Sequence, residues 1–245
     1  MKLSFVIPAY NEEKYLGACL GSVMKEVRHR HHDVEVIVVN NASTDDTKKI
    51  AESFTDVTVV DEKKKGLSAA RQAGFAASRG DLIANIDADT ILPHGWIEKV
   101  IAAFEENPNL VGFSGPYIYH DLSFVTNVGV RIFYYVGYAS YLLNRFILKK
   151  GAMLQGGNFA VRRSALEKIG GYNLAFEFYG EDTDIARRLN EIGDVVFTFR
   201  LPMYTSGRRL AGAGVVTMGV RYGVNYVWTL VFKKPFTKNF VNIRK

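Results

Sequence analysis

Apolar and polar positions alternate between two periods over the first hundred residues. Four short apolar runs predict β-strands, because β-branched residues are frequent in them and Pro8 closes the first. These runs are 3–7, 34–40, 56–60 and 81–87. Each is followed by a stretch with apolar residues at helical spacing, and these stretches are 12–28, 43–54, 67–79 and 96–104. Such alternation is typical of α/β proteins and predicts a mostly parallel sheet flanked by helices.

Three polar segments follow apolar runs of this series: "PAYNEE" (8–13), "NNASTDD" (40–46) and "DADT" (87–90). In open parallel sheets, ligands bind beyond the carboxyl ends of the strands. We therefore expect the three segments to share one edge of the sheet and to form a binding site there. Within the second segment, "STDD" (43–46) has the capping-box pattern and predicts that a helix begins at this point.

The alternation stops beyond residue 110. "LVGFSGPY" (110–117) predicts a strand, and 122–148 predicts a long helix rich in aromatic residues. Further elements are expected at 155–163 (strand), 181–192 (helix), 195–199 (strand) and 215–232 (apolar and aromatic). No repeat, low-complexity tract or linker is visible in the sequence. We therefore expect one domain whose second half completes the site.

Composition narrows the class of protein. The net charge of +6 favours a phosphate-bearing or otherwise anionic partner, but no basic stripe with interleaved aromatic residues indicates nucleic acid. The single cysteine, Cys19, excludes disulfides within the chain and cysteine-rich zinc sites, which fits a reducing cytoplasm. The first apolar run is short and broken by Pro8, so we expect no signal peptide. These features predict a globular cytoplasmic protein.

Asp87 and Asp89 follow an apolar run that predicts burial, where an unpaired carboxylate is costly. Their spacing suits a divalent cation, because Mg²⁺ and Mn²⁺ prefer oxygen ligands and often combine one or two carboxylates with substrate phosphates. An ordinary polar turn is one alternative. Another is the nucleophile loop of haloacid-dehalogenase-like phosphatases, although that loop normally follows the first strand. No G-x-G-x-x-G follows the first strand here, which makes a dinucleotide-dependent dehydrogenase a poor candidate.

Three further charged segments carry candidate chemistry. "YGEDTDIARRLNEIG" (179–193) places acids in a first helical turn, where they either cap the helix or supply a general base. "TSGRRLAG" (205–212) has paired arginines that suit phosphate oxygens, with a solvated basic loop as the alternative. "RHRHHD" (28–33) has the composition of a metal-binding cluster, but it is interpreted as a surface loop, because it lies between a helix and a strand at the edge opposite the other motifs.

The order of these segments resembles glycosyltransferase family 2. The similarity covers about residues 3–212 and rests on "FVIPAYNEE", "VIVVNNASTDDT", "GLSAARQAGFAASRGDLIANIDADT", "GGNFAVRRSALEKIGGYN" and "GEDTDIARRL". It implies an α/β protein of the GT-A type, with a single Rossmann-like, mostly parallel sheet and C-terminal interfacial, aromatic helices. We expect a glycosyltransferase domain at 1–212, with a nucleotide-binding half (1–110) and an acceptor half (111–212). Residues 213–245 are expected to form an amphipathic and basic segment of the same domain.

The resemblance also implies roles for particular residues. Asp182 matches the catalytic base, and Asp87 and Asp89 match a D-x-D motif for Mg²⁺ or Mn²⁺ in which Asp89 is the more direct ligand. A UDP- or GDP-linked sugar is expected at Pro8, Ala9, Tyr10, Glu12, Asn40, Gly66, Arg71, Asp87, Ala88, Arg208 and Arg209. The acceptor and sugar pocket is expected at Gly156, Gly157, Asn158 and Glu181.

The implied reaction is a single displacement at the anomeric carbon, in which Asp182 accepts the proton of the acceptor. Some positions depart from the family pattern. Asn40-Asn41-Ala42 stands where many members have Asp-Asp-Gly, and Gln72 replaces a common asparagine. No histidine lies at 203–206, where some relatives supply a further metal ligand. The sequence also lacks the Q-x-x-R-W motif of processive synthases, which predicts the addition of one sugar and not polymerisation.

Two uncharged aromatic stretches, 132–144 and 222–232, are too short to span a bilayer of about 30 Å. Basic residues flank both, as in helices at the surface of an anionic membrane. We therefore expect a peripheral protein on the inner face of the cell membrane, with a glycan or lipid acceptor. The alternative is that the stretches pack on each other or in a homodimer. A non-catalytic sugar-nucleotide-binding protein is the alternative to an enzyme, and its expected signature is loss of the acids at 181–182.

Overall fold

The computed structural model of this 245-residue chain describes residues 1–28, 32–143 and 153–237. Its largest sheet has seven strands: β1 (Leu3–Ala9), β2 (Val34–Asn40), β3 (Val57–Asp61), β4 (Leu82–Ile86), β6 (Leu110–Ser114), β8 (Asn158–Arg162) and β9 (Asp194–Phe197). A second sheet has three: β5 (Thr90–Ile91), β7 (Tyr117–Tyr119) and β10 (Met203–Thr205). The large sheet has the order β3-β2-β1-β4-β8-β6-β9, and its strands pair in parallel except at β8. The predicted mostly parallel sheet is confirmed.

Helices cover both faces of the large sheet. They are α1 (Leu16–Arg28), α2 (Thr47–Glu52), α3 (Leu67–Ala77), α4 (Trp96–Glu106), α5 (Phe124–Leu143), α6 (Arg163–Lys168), α7 (Glu181–Asn190), α8 (Arg208–Ala213) and α9 (Val215–Phe232). Alternate residues of β1 point to opposite faces, as the pleat requires. Phe5 and Ile7 join a core with α1 and α4, while Val6 joins a core with α3, α6 and α7. Because both faces are covered, the strands are apolar almost throughout.

The structure differs from the predicted elements at two places. "LVGFSGPY" does not form one strand, because Gly115 and Pro116 divide β6 of the large sheet from β7 of the small one. The predicted capping box at Ser43 is wrong, since α2 begins four residues later, at Thr47. Ser43 Oγ instead accepts a hydrogen bond from the backbone N–H of Asn11 at 3.1 Å, which ties the two loops together.

The second half of the chain completes the sheet that the first half begins. Strands β6, β8 and β9 lie beyond β4, so residues of both halves line one edge. Two exposed helices, α5 and α9, come from this second half. Within the residues that the structure describes, no helix has both the length and the apolar character needed to cross a membrane. Parts of three predicted features lie outside the described residues: 29–31 of the basic segment, 144–148 of the long helix and 238–245 of the C-terminal segment.

Candidate active site

The loops after β1 and β2 meet at the carboxyl edge of the sheet, as parallel strands require. The backbone N–H of Asn41 donates to the carbonyl of Ala9 at 2.8 Å, and the backbone N–H of Glu12 donates to Thr47 Oγ1 at 2.7 Å. These bonds hold the "PAYNEE" and "NNASTDD" segments side by side. The third segment, "DADT", follows β4, which pairs directly with β1.

The two acids of "DADT" face different partners. Asp87 Oδ2 accepts a hydrogen bond from the Tyr117 hydroxyl at 2.8 Å, and Asp87 Oδ1 lies 3.6 Å from Arg71 Nη2. Asp89 Oδ2 lies 3.0 Å from Arg208 Nη2. Ala88 between them is buried in the core. Asp87 therefore contacts α3 and β7, whereas Asp89 contacts the start of α8.

Arg71 on α3 lies beneath the site and not in its wall. Its side chain is fully buried, and its Nη1 forms an ion pair with Glu181, which is itself only 5% exposed. The guanidinium also packs over the Phe159 ring at 5.2 Å. Arg71 thus joins Asp87 to the start of α7 through one buried positive charge. Its predicted contact with a ribose or phosphate stays a prediction, because in this structure the guanidinium faces the two carboxylates.

Asp182 is held by backbone groups at the start of α7. Its Oδ2 accepts from the N–H of Gly156 at 3.2 Å, and its Oδ1 accepts from the N–H of Thr183 at 2.7 Å. The Tyr117 hydroxyl lies 2.7 Å from the carbonyl oxygen of Gly156 and also contacts Asp87. Gly156 therefore stands between the two carboxylates that the sequence singles out as base and metal ligand. This convergence brings residues from β4, β7 and α7 into one cluster.

Burial controls the protonation of the two neighbouring acids on α7. Burial raises the pKa of Glu181 to about 7, against the opposing charge of Arg71 and with a further increase from Asp182. Burial also raises the pKa of Asp182, although hydrogen bonds from Thr183 and Gly156 and the charge of Arg71 oppose the shift. Asp184, two residues further, points elsewhere. Its carboxylate lies 2.8 Å from Arg188 Nε and 3.2 Å from Arg187 Nη2, so it stabilises the helix.

Close packing explains two residues at the start of β8, one before the strand and one within it. Gly157 has a φ of +84°, and a Cβ there would lie 2.3 Å from the Asp87 carboxyl group, so that only glycine fits. Asn158 is fully buried and donates to the carbonyls of Gly115 and Leu201 at 2.9 and 2.8 Å. Its side chain fixes the surrounding loops. The structure therefore places Asn158 behind the predicted pocket and not in its wall.

A cleft of about 160 Å³ opens beside the first three loops. The Lys65 ammonium lies 4.7 Å from the centre of the Tyr10 ring, on one side of this cleft. Ten residues line it: Pro8, Ala9, Tyr10, Asn41, Lys65, Gly66, Leu67, Ala70, Glu177 and Phe178. Four of these belong to the predicted nucleotide site. The cleft combines a half-buried aromatic ring, a cation and backbone groups, which suits a nucleoside.

Asn40 lies outside the lining of this cleft. Its Nδ2 donates to Asp61 Oδ1 at 2.8 Å, and its Oδ1 accepts from the N–H of Ser43 at 3.2 Å. Neighbouring Asn41 lines the cleft and accepts from the N–H of Gly66 at 2.9 Å. The predicted contact of Asn40 with a base edge therefore stays a prediction, while the Asn41 amide donates to the carbonyls of Glu62 and Lys64 and fixes the loop after β3.

Arg208 and Arg209 separate at the start of α8. Arg208 Nη2 donates to both oxygens of the buried Glu12, at 2.6 and 2.7 Å. Burial lowers the pKa of Arg208, but its hydrogen bond to Glu12 and the charge of Asp89 outweigh burial and raise it. Arg209 packs over the Phe178 ring at 4.3 Å, at the rim of the cleft. Both arginines therefore lie by the loops predicted to hold a donor.

Several residues of the site and its cleft were not predicted from the sequence. Tyr117, Lys65 and Phe178 carry no motif, and their positions depend on strands and loops that meet only in the folded chain. The contact between Glu12 and Arg208 joins residues 196 positions apart. One signal was available for Tyr117, because it follows the Gly115-Pro116 turn that ends an apolar run.

Two sequence models of known families match the chain. The model described as Glycosyl transferase family 2 matches residues 4–170, and the model described as N-terminal domain of galactosyltransferase matches residues 147–209. The probable glycosyltransferase YdaM of Bacillus subtilis (strain 168) is 28% identical over 205 residues, which cover 78% of this chain and 47% of the relative. The undecaprenyl-phosphate 4-deoxy-4-formamido-L-arabinose transferase of Proteus mirabilis (strain HI4320) is 32% identical over 117 residues, covering 45% of this chain and 36% of the relative. The chain thus spans less than half the length of these two relatives.

Solved structures share the fold. Glucosyl-3-phosphoglycerate synthase from Mycobacterium tuberculosis, in complex with Mn²⁺, UDP and phosphoglyceric acid, has a TM-score of 0.65 at 23% identity, covering 95% of this chain and 78% of that one. S. aureus TarS 1-349 has a TM-score of 0.65 at 16% identity, covering 99% of this chain and 76% of that one. The predicted GT-A-type fold is confirmed. The phosphatase alternative is wrong, because the first family model spans the whole strand–helix series that contains "DADT".

Proposed function

This chain belongs to glycosyltransferase family 2, and from that premise we propose that it transfers one sugar from a nucleoside-diphosphate sugar to an acceptor hydroxyl or phosphate. The observation that carries the proposal is the position of Gly156. Its N–H donates to Asp182, and its carbonyl shares the Tyr117 hydroxyl with Asp87. A candidate base and a candidate metal ligand therefore flank one loop at the carboxyl edge of the sheet, where a reacting sugar would lie between them.

The nucleoside belongs in the cleft between the Tyr10 loop and Phe178. Its lining offers the Tyr10 ring, on which a base would stack, and the Lys65 ammonium, which would contact a phosphate. Two of the fold neighbours were crystallised with UDP or UDP-GlcNAc. We therefore propose a UDP-linked donor first and a GDP-linked donor second.

Asp89 and Asp87 would hold a Mg²⁺ or Mn²⁺ ion. Among the described residues, no three His, Cys, Asp or Glu side chains are grouped for a metal site. Donor phosphates would therefore complete the coordination, which is the usual arrangement for Mg²⁺. The carboxylate oxygens present are the hard ligands that such an ion prefers. When bound, the metal neutralises charge that builds up on the leaving diphosphate. The fold neighbour with Mn²⁺ and UDP supports this assignment.

Asp182 would act as the general base. Hydrogen bonds from Gly156 and Thr183 fix its carboxylate, so that the base is oriented before an acceptor binds. Burial moves its pKa upward, toward the pH at which proton transfer is most efficient. The acceptor oxygen would attack the anomeric carbon on the face opposite the diphosphate, and Asp182 would take its proton. A single displacement of this kind inverts the anomeric centre.

The test begins with a screen of UDP- and GDP-sugars for Mn²⁺-dependent thermal stabilisation, followed by assays of transfer and of donor hydrolysis. Asp182→Asn should reduce turnover by about 10²-fold or more, the lower range for loss of a general base, while donor affinity persists. Asp184→Asn is the matched control. It should lower the melting temperature but leave the rate of transfer close to that of wild type, because Asp184 pairs with Arg187 and Arg188 and not with the site. Wild-type turnover in Asp182→Asn would refute the assignment of the base. Donor binding without any turnover in the wild type would favour a non-catalytic binding protein.

We also propose peripheral attachment to an anionic membrane, because the solvent-facing sides of α5 and α9 are apolar. On α5, Val125, Val128, Ile132 and Val136 are exposed at helical spacing. On α9, Val220, Val224, Val227 and Val231 form a matching exposed stripe. Water-exposed helices normally place such residues inward. Lys233 and Lys234 directly follow α9 and supply positive charge for anionic headgroups.

A membrane-bound enzyme suits a lipid-linked acceptor. One relative is named for undecaprenyl-phosphate, which supports an acceptor of this class. The test is co-sedimentation with phosphatidylglycerol vesicles. The double variant Ile132→Ser, Val136→Ser should bind less than wild type, whereas Leu174→Ser, which removes an exposed apolar residue elsewhere, should bind equally. If no variant binds vesicles and the wild type forms a concentration-dependent dimer, the two stripes are a protein interface.

A further inference from the structure

Arg208 lies against one carboxylate oxygen of Asp89. Its Nη2 lies 3.0 Å from Asp89 Oδ2, which is ion-pair distance. The same nitrogen contacts both oxygens of Glu12, and the guanidinium packs over the Tyr15 ring at 4.4 Å. One positive charge from the second half of the chain is therefore shared by two acids of the first half.

The position of Arg208 is fixed by the backbone before α8. Ser206 Oγ donates to Asp121 Oδ2 at 2.6 Å, and the N–H of Gly207 donates to Asp121 Oδ1 at 2.5 Å. Gly207 also packs against Leu122, which leaves no room for a Cβ. These contacts direct the start of α8 toward the loop after β1. These backbone contacts therefore fix the position from which Arg208 reaches Glu12 and Asp89.

We propose that Arg208 is the counter-charge of Asp89 and that a divalent cation binds Asp89 in competition with it. The proposal rests on the proposed use of Asp89 as a metal ligand. The guanidinium lies 3.0 Å from Asp89 Oδ2, so a divalent cation on the same carboxylate would meet a nearby positive charge, and the repulsion between the two cations in a partly buried site lowers the affinity for the metal. Metal binding and the Arg208–Asp89 contact therefore weaken each other.

Glu12 is the partner that Arg208 should keep when a metal ion binds. Its side chain is only 2% exposed, and Arg208 donates to both of its oxygens, so breaking these bonds to a buried carboxylate is costly. Asp89 is 15% exposed and can exchange one cation for another at lower cost. Arg208 should therefore keep its bonds to Glu12 and give up Asp89 when a metal enters. A guanidinium released in this way stays beside the site, where the donor diphosphate can accept its hydrogen bonds.

The experiment measures Mn²⁺ binding to the full chain without nucleotide, by electron paramagnetic resonance of the free ion. Arg208→Gln should bind Mn²⁺ more tightly than wild type by about tenfold, the effect of one directly competing charge removed. Arg208→Lys, which keeps the charge but lacks the planar fork, should fall between the two. It also serves as the second variant if Arg208→Gln does not fold, as judged by circular dichroism.

Arg209→Gln is the matched control, because it removes the same charge from the neighbouring position, where the guanidinium packs on Phe178. It should change Mn²⁺ affinity by less than about threefold, since a more distant charge is screened. Equal gains in Arg208→Gln and Arg209→Gln would overturn the proposal and indicate a general field effect. Unchanged or weaker binding in Arg208→Gln would overturn it as well.

Asp89→Asn separates this proposal from the proposed function. If Asp89→Asn loses Mn²⁺ binding while Arg208→Gln shows no gain, the metal site stands and the competition is refuted. If Asp89→Asn binds Mn²⁺ as wild type does, the metal is not at Asp89 and both ideas fail. A second measurement adds UDP. Because UDP receives the displaced guanidinium, it should strengthen Mn²⁺ binding more in wild type than in Arg208→Gln, and equal strengthening would count against the exchange.

Discussion

Glu181→Gln should destabilise the protein more than Arg71→Met, although the two residues form one buried ion pair. Arg71 is fully buried and Glu181 is 5% exposed. Removing one partner of a buried pair leaves an uncompensated charge and typically costs about 3 to 5 kcal/mol. An arginine cannot lose its proton, so Glu181→Gln incurs this full cost, reduced only by the more distant Asp87 at 3.6 Å.

Arg71→Met is different, because the remaining carboxyl group can take up a proton. The ordinary pKa of Glu181 is 4.5, and burial raises it to about 7. Holding the proton at pH 7 costs about 3.5 kcal/mol, at about 1.4 kcal/mol for each of the 2.5 pH units above the ordinary pKa. Because the pKa of Glu181 is raised in the folded protein, the cost of protonating it falls as the pH falls from 7 toward 4.5. This cost is below about 1 kcal/mol at pH 5.

The assay is urea unfolding of wild type, both single variants and the double variant at pH 7 and pH 5. Glu181→Gln should be the least stable protein at both pH values. The double variant, which buries neither charge, should be more stable than Glu181→Gln alone. The loss in Arg71→Met should shrink at pH 5. The reasoning is refuted if the double variant is less stable than Glu181→Gln, or if Arg71→Met loses the same free energy at both pH values.

Three further results are expected. Gly157→Ala should weaken UDP binding by about tenfold or more in titration calorimetry, because a Cβ would lie 2.3 Å from the Asp87 carboxyl group at a φ of +84°. Gly115→Ala should prevent stable folding, since its Cβ would meet the Leu201 carbonyl, whereas Gly21→Ala, with no atom within 4 Å, should raise the free energy of unfolding by up to about 1 kcal/mol. The rate of transfer should rise with pH along an acidic limb above 3.8, because the raised pKa of Asp182 delays its deprotonation, and residual activity of Asp182→Asn should lack that limb.

The sequence by itself determined the large sheet and the edge that carries the site. Apolar runs such as 34–40 form buried strands because both faces of a parallel sheet are covered. Polar segments directly after those runs then lie together, since parallel strands end on the same side. The ordered motifs also indicated the family, which the match over residues 4–170 establishes. The apolar runs and the polar segments after them are each only a few residues long, so they can be recognised in the sequence without knowledge of distant contacts.

Short elements and long-range pairs were decided by the tertiary structure. Strands β5, β7 and β10 have two or three residues each, too few to show a period. The failure of the capping box at Ser43 has a similar cause, because the side chain bonds to a loop 32 positions away. The local preference of Ser43 to cap a helix was outweighed by its hydrogen bond with Asn11, which forms only in the folded chain.

The ion-pair partners of Asp87 and Asp89 also could not be predicted from the sequence. The pattern showed that two acids would lie at the sheet edge and that a buried carboxylate needs a partner. It did not show that α3 brings Arg71 under Asp87 while α8 brings Arg208 to Asp89. Partner choice depends on how helices from distant parts of the chain pack on one sheet. Packing therefore decided which charge each acid meets, whereas the sequence decided where the acids are.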